Sequence, residues 1–197
     1  MKSAFVVILA SVLLVSKGYA FPMEAEVSIA RLFVPSVALI FCVQRRTQQT
    51  CGFTTVPLLR GYSAKATDHF YTTTPSQMEN AILNHSYKSE GDAAFVLPSQ
   101  APDTVPLYRL YSATAKDHFY TTSNNERTNA IQNHGFKDEG ITAYVYPSNL
   151  CGTVPLYRMY NPTATDHFYT TDVTQKDRAI TVQGYVDEGI AAYVNPQ

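Results

Sequence analysis

The chain has 197 residues and a formal net charge of −1, from 15 basic and 16 acidic residues. It contains no basic run or stripe, so a nucleic-acid partner is not expected. The aromatic residues are 14 Tyr, 10 Phe and no Trp, a composition that suits half-buried β-strands.

Residues 1–20 have the pattern of a secretory signal peptide. Lys2 precedes an apolar run over residues 4–15, and Gly18 and Ala20 are small residues at the positions that a signal peptidase inspects. The run is shorter than the roughly 20 apolar residues that span a bilayer. We therefore expect a secreted, extracellular protein without a membrane span, beginning at Phe21 after cleavage.

Residues 21–55 form a segment outside the repeated pattern that fills the rest of the chain. Residues 29–43 are apolar apart from Arg31 and Ser36, and Pro35 interrupts them. Such a short run with a proline makes a poor membrane span. We expect this segment to pack on the first repeat or to be poorly ordered.

Three cysteines are present, Cys42, Cys51 and Cys151. An oxidising secretory route predicts one disulfide and one remaining thiol. Cys51 and Cys151 each lie just before a repeat, so a closed ring of repeats would bring them together. Cys42–Cys51 is the local alternative, and the sequence leaves both pairings open.

Residues 56–197 contain one 43-residue unit three times, at a constant spacing of 49 residues. Repeats 1, 2 and 3 cover residues 56–98, 105–147 and 154–196. Each begins with Val-Pro-Leu-Xaa-Arg, contains an unaltered Asp-His-Phe-Tyr-Thr-Thr hexamer and a later Glu-Gly pair, and ends on a proline. Recurrence within one chain identifies the positions that the geometry of the unit requires.

The predicted elements of repeat 2 begin with two strands. Residues 105–111 form the first, and residues 117–122, which are rich in aromatic and β-branched side chains, form the second. A short helix follows, because Ser123 and Glu126 match a capping box. The equivalent pairs in the other repeats are Thr74 with Gln77 and Asp172 with Gln175.

The helix is expected to end near Gly135, or near Gly184 in repeat 3, because glycine is a usual left-handed stop. Ser86 takes this position in repeat 1 and makes a weaker stop. Two short strands, residues 136–139 and 141–146, then flank a glycine turn.

The predicted fold is therefore mostly β with short helices (α+β), built from three strand-strand-helix-strand-strand repeats. One unit cannot bury its apolar face alone, so the three must pack on one another. Closure into a pseudo-threefold, propeller-like ring also removes exposed sheet edges. An open stack is the alternative.

Four recurring polar positions provide the candidate ligand-binding residues. They are an arginine on the first strand, an adjacent aspartate and histidine on the second, and a glutamate before the final glycine. These residues are Arg60, Asp68, His69 and Glu90 in repeat 1, Arg109, Asp117, His118 and Glu139 in repeat 2, and Arg158, Asp166, His167 and Glu188 in repeat 3.

The arginine lies on the face of the first strand that is the same in all three repeats, which we interpret as the packed face. A buried arginine needs an anion, and the recurring aspartate or glutamate is the expected partner. Two interpretations stay open: an ion pair that fixes each unit internally, or a cluster that lines a ligand pocket.

The histidines point away from their aspartate neighbours, because adjacent strand residues face opposite sides. Three symmetry-related histidines could converge on the threefold axis and bind zinc. Histidines hydrogen-bonded within each repeat are the preferred interpretation. No metal and no cofactor are therefore expected.

The repetition of candidate groups favours binding over catalysis, since a reaction needs dissimilar groups in one place. Gly-x-Ser-x-Gly, His-Glu-x-x-His and phosphate-loop motifs are absent from the sequence. Equal copies suit multivalent binding of a repetitive ligand, and Asp and His beside a Tyr ring are typical of a lectin site. Asn84-His85-Ser86 is a candidate glycosylation sequon.

The Val-Pro-Leu-Tyr-Arg-Leu-Tyr run, the Asp-His-Phe-Tyr-Thr-Thr hexamer and residues 184–194 resemble a secreted microbial triple-repeat domain family of unknown function. The resemblance covers residues 56–197. It implies an extracellular location and surface or polysaccharide binding, because some members resemble appendages on secreted hydrolases. It implies no catalytic residues. Repeat 1 departs from the pattern at Leu59, Gly61 and Ser86, so its site is expected to be the degenerate one.

These observations predict a secreted, non-enzymatic module that binds glycans or cell-surface polysaccharide at up to three sites. The alternatives are a secreted hydrolase with one central site and a purely structural or protein-interaction domain.

Overall fold

The structure, a computed structural model, describes residues 51–197 and the backbone of residues 29–34 and 37–42. The chain divides into two units, Met1–Gln48 and Gln49–Gln197. In the first, β1 (Ile29–Val34) pairs antiparallel with β2 (Val37–Cys42) as a hairpin. The predicted signal peptide, residues 1–20, lies outside the described residues. Within residues 51–197, no helix has the length and apolar character that crossing a membrane requires.

The second unit contains the three repeats, and each consists of two strands, a helix and a long final strand. Repeat 1 contains β3 (Val56–Ser63), β4 (Asp68–Thr72), α1 (Pro75–His85) and β5 (Lys88–Val96). Repeat 2 contains β6 (Val105–Ser112), β7 (Asp117–Thr121), α2 (Asn124–Asn133) and β8 (Lys137–Val145). Repeat 3 contains β9 (Val154–Asn161), β10 (Asp166–Thr170), α3 (Val173–Val182) and β11 (Val186–Val194). The prediction of a mostly β, triply repeated fold with short helices is confirmed.

Each repeat forms its own three-stranded antiparallel sheet with the first strand in the centre, in the order β4-β3-β5, β7-β6-β8 and β10-β9-β11. The two final predicted strands are continuous in space and join through a β-bulge at the Glu-Gly pair. In repeat 2, Arg109 pairs with Gly140 and Leu110 pairs with Asp138, so Glu139 is the extra residue. Gly140 has φ 89°, a conformation that suits glycine.

The helix starts agree with the predicted caps in two repeats. Ser123 Oγ accepts a hydrogen bond from the Glu126 N–H at 3.2 Å, and Asp172 Oδ1 accepts from the Thr174 N–H at 2.7 Å. The predicted cap in repeat 1 is wrong, because Thr74 makes no side-chain cap bond. In all three repeats the N–H of the residue before the helix donates to the hydroxyl of a threonine two residues earlier, at 3.0–3.1 Å.

The helix ends follow the predicted left-handed stops. Gly135 and Gly184 have φ of 70° and 79° just after α2 and α3. Ser86 takes the same conformation after α1, with φ 62°. The chain therefore makes the same turn in all three repeats, with a residue in repeat 1 that enters this region less readily.

The core has a shared centre and three satellites. The shared cluster draws equivalent residues from every repeat, namely Leu58, Leu107, Leu156, Tyr71, Tyr120, Tyr169, Val96, Val145 and Val194. A smaller cluster lies between sheet and helix in each repeat. Leu107 faces the centre while Leu110, three residues on, is fully buried under the helix. The expectation of a single packed face on the first strand is therefore wrong, because helix and centre cover both faces.

Three buried tyrosines link the repeats through a cycle of hydrogen bonds. The Tyr120 hydroxyl accepts from the Tyr71 N–H and donates to the Tyr71 carbonyl, both at 2.7 Å. Tyr169 makes the same pair of bonds to Tyr120, and Tyr71 makes them to Tyr169. Each repeat thus bonds to both others, which is the pattern of contacts that a pseudo-threefold ring requires.

A disulfide joins Cys51 to Cys151, with 5.3 Å between the two Cα atoms. It ties the segment before repeat 1 to the segment before repeat 3, 100 residues along the chain. The pairing that ring closure favours is confirmed, and the local Cys42–Cys51 alternative is wrong.

Candidate functional site

The recurring polar residues assemble at the three boundaries between repeats. At the 1/2 boundary, Arg109, His118 and Glu139 of repeat 2 face Asp68 and Gln77 of repeat 1. At the 2/3 boundary, Arg158, His167 and Glu188 face Asp117 and Glu126. At the 3/1 boundary, Arg60, His69 and Glu90 face Asp166 and Gln175. The candidate residues therefore form three equivalent sets, each shared by two repeats.

The aspartate of one repeat holds the histidine of the next. His118 Nδ1 lies 2.6 Å from Asp68 Oδ2, and the His118 backbone N–H donates to Asp68 Oδ1 at 2.8 Å. His69 with Asp166 and His167 with Asp117 make the same contacts. The expectation of hydrogen bonds within each repeat is wrong, because adjacent strand residues face opposite sides and the aspartate points across the boundary.

The three aspartates are at most 1 % exposed, so they position the histidines and do not themselves reach a ligand. An ionised carboxylate only accepts hydrogen bonds, so Nδ1 of each histidine carries the proton. Burial by itself raises the pKa of Asp166, but the hydrogen bond and charge of His69, with a bond from Tyr185, outweigh it and hold the pKa below its usual range.

The zinc alternative expected three histidines to converge, but the side chains that the structure brings together are three aspartates. One oxygen each of Asp68, Asp117 and Asp166 lie within 4.8 Å of one another, the group with metal-ligand spacing among the described residues. These carboxylates already accept bonds from the neighbouring histidines. The cluster is thus accounted for by contacts between the repeats.

The arginine pairs with the glutamate of its own repeat. Arg109 Nε lies 2.7 Å from Glu139 Oε2, and the equivalent distances for Arg60 and Arg158 are both 2.9 Å. The buried Nε makes no aligned hydrogen bond, so the contact is an ion pair. The bulge produces it, because the extra residue turns the glutamate toward the arginine on the central strand.

Aromatic rings enclose each histidine. The His69 ring centroid lies 4.6 Å from that of Tyr62 in its own repeat and 4.7 Å from that of Phe168 across the boundary. Arg60 Cζ lies 5.3 Å from the centre of the Phe168 ring. The other boundaries repeat these contacts.

The three tyrosines in these stacks, Tyr62, Tyr111 and Tyr160, are partly exposed. Burial, together with nearby carboxylates, raises the pKa of each hydroxyl. The hydroxyls therefore stay protonated at neutral pH and can both donate and accept hydrogen bonds.

The site also includes residues that the sequence interpretation assigned to helix caps. Arg109 Nη1 donates to Gln77 Oε1 at 3.0 Å, and Arg60 Nη1 donates to Gln175 Oε1 at 3.0 Å. Glu126 takes this position at the 2/3 boundary and binds Arg158. The sequence signal for this contact was the recurrence of Gln or Glu at one position of every repeat. The capping pattern already explained that recurrence, so no contact with the arginine was inferred.

Cavities lie at two boundaries. The 1/2 cleft has a volume of about 650 Å³ and is lined by residues including Gln77, Arg109, Tyr111 and Glu139. The 3/1 cleft has a volume of about 440 Å³, with Arg60, Tyr62, Glu90 and Gln175 among its lining residues. Both exceed the lower end of the size range of small-molecule sites, about 300 Å³.

Asn84, the candidate glycosylation site, is exposed near the end of α1 and lies at the 1/2 cleft. Its side chain donates a hydrogen bond to Asn80 at 2.7 Å. Surface placement of the sequon is as expected, and its modification stays a prediction.

The fold and the boundary sites define a β-rich protein of three internal repeats. The chain belongs to the family described as Domain of unknown function (DUF5648), whose model matches residues 57–195. This match confirms the resemblance to a triple-repeat domain of unknown function. No curated protein and no solved structure matches the chain.

Proposed function

We propose that the repeat domain is a secreted, non-enzymatic binding module that recognises carbohydrate at the boundaries between its repeats. The observation that carries the proposal is the recurring pair of a partly exposed tyrosine and an Arg–Glu ion pair beside it. A sugar presents an apolar C–H face and a rim of hydroxyls, which suit an aromatic ring next to fixed donors and acceptors.

The same geometry supports binding rather than catalysis. All three boundaries share the aspartate–histidine contact and the Arg–Glu ion pair, whereas a reaction needs dissimilar groups in one place. The three aspartates are buried and bonded to the neighbouring histidines, so they are not available to act on a substrate. Several equal sites in one chain gain avidity for a repetitive polymer.

The extracellular location is part of this proposal. The Cys51–Cys151 disulfide supports it, because such bonds form and persist in oxidising compartments.

A glycan array with the full chain, followed by calorimetry on the bound glycans, tests the proposal. Changing Tyr62 or Tyr111 to alanine, each of which lines one cleft, is expected to weaken array binding, and the double change is expected to weaken it further. Tyr144→Ala, on a partly buried tyrosine of β8, serves as the control. The hydrolase alternative predicts release of reducing ends that one substitution abolishes. The structural alternative predicts lower melting temperatures and no glycan binding by the wild-type chain, and either result would overturn the proposal.

A further inference from the structure

The three boundaries differ in what holds the arginine. At the 2/3 boundary, both terminal nitrogens of Arg158 bind the Glu126 carboxylate, at 2.9 and 3.0 Å. This is the forked arginine–carboxylate pair. The hydrogen bonds from Arg158, and a further one from Thr121, hold the pKa of Glu126 below its usual range against the effect of burial. The 2/3 arginine is therefore bound to an ionised carboxylate of the protein itself.

At the other two boundaries a glutamine replaces this carboxylate. Gln77 Oε1 accepts from Arg109 Nη1 and from the Thr72 hydroxyl at 2.7 Å, and Gln175 Oε1 does the same with Arg60 and Thr170. Within residues 51–197, Nη2 of Arg109 and Arg60 has no hydrogen-bond partner. The amide nitrogens of the two glutamines likewise have no acceptor there. In both clefts the glutamine amide therefore supplies an N–H donor, whereas at the 2/3 boundary Glu126 supplies a carboxylate oxygen that accepts from the arginine.

A second difference separates the same two boundaries from the third. The Tyr87 hydroxyl donates a hydrogen bond to Asp68, which holds the histidine of the 1/2 boundary. The Tyr185 hydroxyl does the same to Asp166 at the 3/1 boundary. The equivalent residue at the 2/3 boundary is Phe136, which has no hydroxyl. The 1/2 and 3/1 boundaries therefore share one construction.

The charge of the lining residues follows the same division. The 1/2 cleft brings Lys65, Lys116 and Arg109 together with a single acid, Glu139. In the 3/1 cleft, Arg60 and Arg178 outnumber Glu90. At the 2/3 boundary Arg158 forms ion pairs with two acids, Glu126 and Glu188, whereas Arg109 and Arg60 each pair with one. An anionic group is favoured in the first two clefts and disfavoured at the third boundary.

We infer that the 1/2 and 3/1 clefts each bind the carboxylate of a uronic acid unit in an acidic polysaccharide, and that Glu126 fills this position at the 2/3 boundary. The inference rests on the proposed carbohydrate binding and specifies its ligand class. The ligand carboxylate accepts from Nη2 of the arginine and from the glutamine amide, the two donors that lack partners. The sugar ring then lies beside Tyr111 in one cleft and Tyr62 in the other.

Isothermal titration calorimetry of the full chain with oligomers of galacturonic, glucuronic and mannuronic acid tests the inference. At least one of these is expected to bind with two sites per chain, and its methyl ester, which is uncharged, is expected to bind at least about tenfold more weakly. A sulfated oligosaccharide of equal length distinguishes a carboxylate site from a general anion site. Equal affinity for the sulfated probe or the ester would overturn the inference.

Exchanges between Gln and Glu at residues 77, 126 and 175 are expected to change the number of carboxylate-binding sites while leaving the side-chain volume nearly unchanged. Gln77→Glu and Gln175→Glu place a protein carboxylate against Arg109 and Arg60, so each is expected to remove one site. Glu126→Gln is expected to raise the count from two to three. Gln132→Glu adds the same charge at an exposed position of α2 and is expected to leave both sites intact.

Thermal melting of each variant shows whether the fold is retained, so a loss of binding with unchanged melting refers to the site. Neutral glycans that bind equally to the wild-type chain and the Gln77→Glu variant would refute the inference and leave the proposed function standing. Failure of every glycan, charged or neutral, to bind the wild-type chain would refute both.

Discussion

Removal of one hydroxyl from the central tyrosine cycle is expected to destabilise the whole repeat domain. The Tyr120→Phe change keeps the buried ring but removes the partner of both the N–H and the C=O of Tyr71. Tyr71 and Tyr120 are each 1 % exposed, so water does not readily replace the hydroxyl. A buried polar group left without a partner costs about 1–3 kcal/mol, so two such groups give an expected loss of about 2–6 kcal/mol.

Guanidinium unfolding at 25 °C with the disulfide intact measures this loss as a shift of the midpoint at unchanged slope. Tyr144→Phe is the matched control, because this tyrosine is partly exposed and its hydroxyl makes no hydrogen bond within residues 51–197. Its expected effect is below about 0.5 kcal/mol. A Tyr120→Phe loss no larger than that of the control would refute the role of the cycle in joining the repeats.

Three further outcomes are expected. Asp166→Asn should cost about 2–3 kcal/mol at neutral pH by weakening the bonds to His69. Because the pKa of Asp166 is lowered in the folded state, its contribution is present above the unfolded value of about 3.9 and is lost as pH falls through the folded value. Unfolding titrations from about pH 5 to about pH 2 should therefore show a steeper loss for the wild type than for the variant, and parallel curves would contradict this. Replacing Cys51 and Cys151 by serine should lower the free energy of unfolding by about 2–4 kcal/mol, since the bond closes a long loop, and reductant should then have no further effect. Gly135→Ala should cost about 1 kcal/mol at this left-handed position, measured by the same unfolding assay, and a stabilised variant would show that the turn is misassigned.

Much of the fold follows from the sequence because the repeats restrict each other. A strand assigned in one repeat holds in all three. The cysteine positions before repeats 1 and 3 made the Cys51–Cys151 pairing one of two candidates, and the structure distinguishes them. The Arg–Glu pairing was also within reach, since a buried arginine needs an anion. The sequence could not show that Glu139 reaches Arg109 through a bulge, because the extra residue becomes evident only from the strand register.

Contacts between repeats could not be predicted, and repetition itself is the reason. A histidine of repeat 1 has identical candidate partners in all three repeats, so His69 gives no sign that it bonds to Asp166 rather than to Asp68. The role of Gln77 was hidden for a different reason. Its position three residues after Thr74 fits a capping box, and this local explanation masked the contact with Arg109 across the boundary.

The unusual residues of repeat 1 also have a packing explanation. A Cβ at Gly61 would lie 2.9 Å from Met78 Sδ, so the glycine makes room for a large helix residue. Leu59 packs against the same cluster between sheet and helix. Leu59 and Gly61 are not among the residues that line either cleft, whereas Ser86 lines the 1/2 cleft. The degenerate site in repeat 1 stays a prediction.

The location of ligand binding at the repeat boundaries is tested most directly by NMR titration of the isotope-labelled full chain with an acidic oligosaccharide that binds it. We expect amide shifts concentrated around Gln77 and Gln175 and weak at Glu126, with Glu126→Gln adding a third set of shifts at the 2/3 boundary. Shifts centred on the N-terminal hairpin or spread over surfaces outside the clefts would contradict the account.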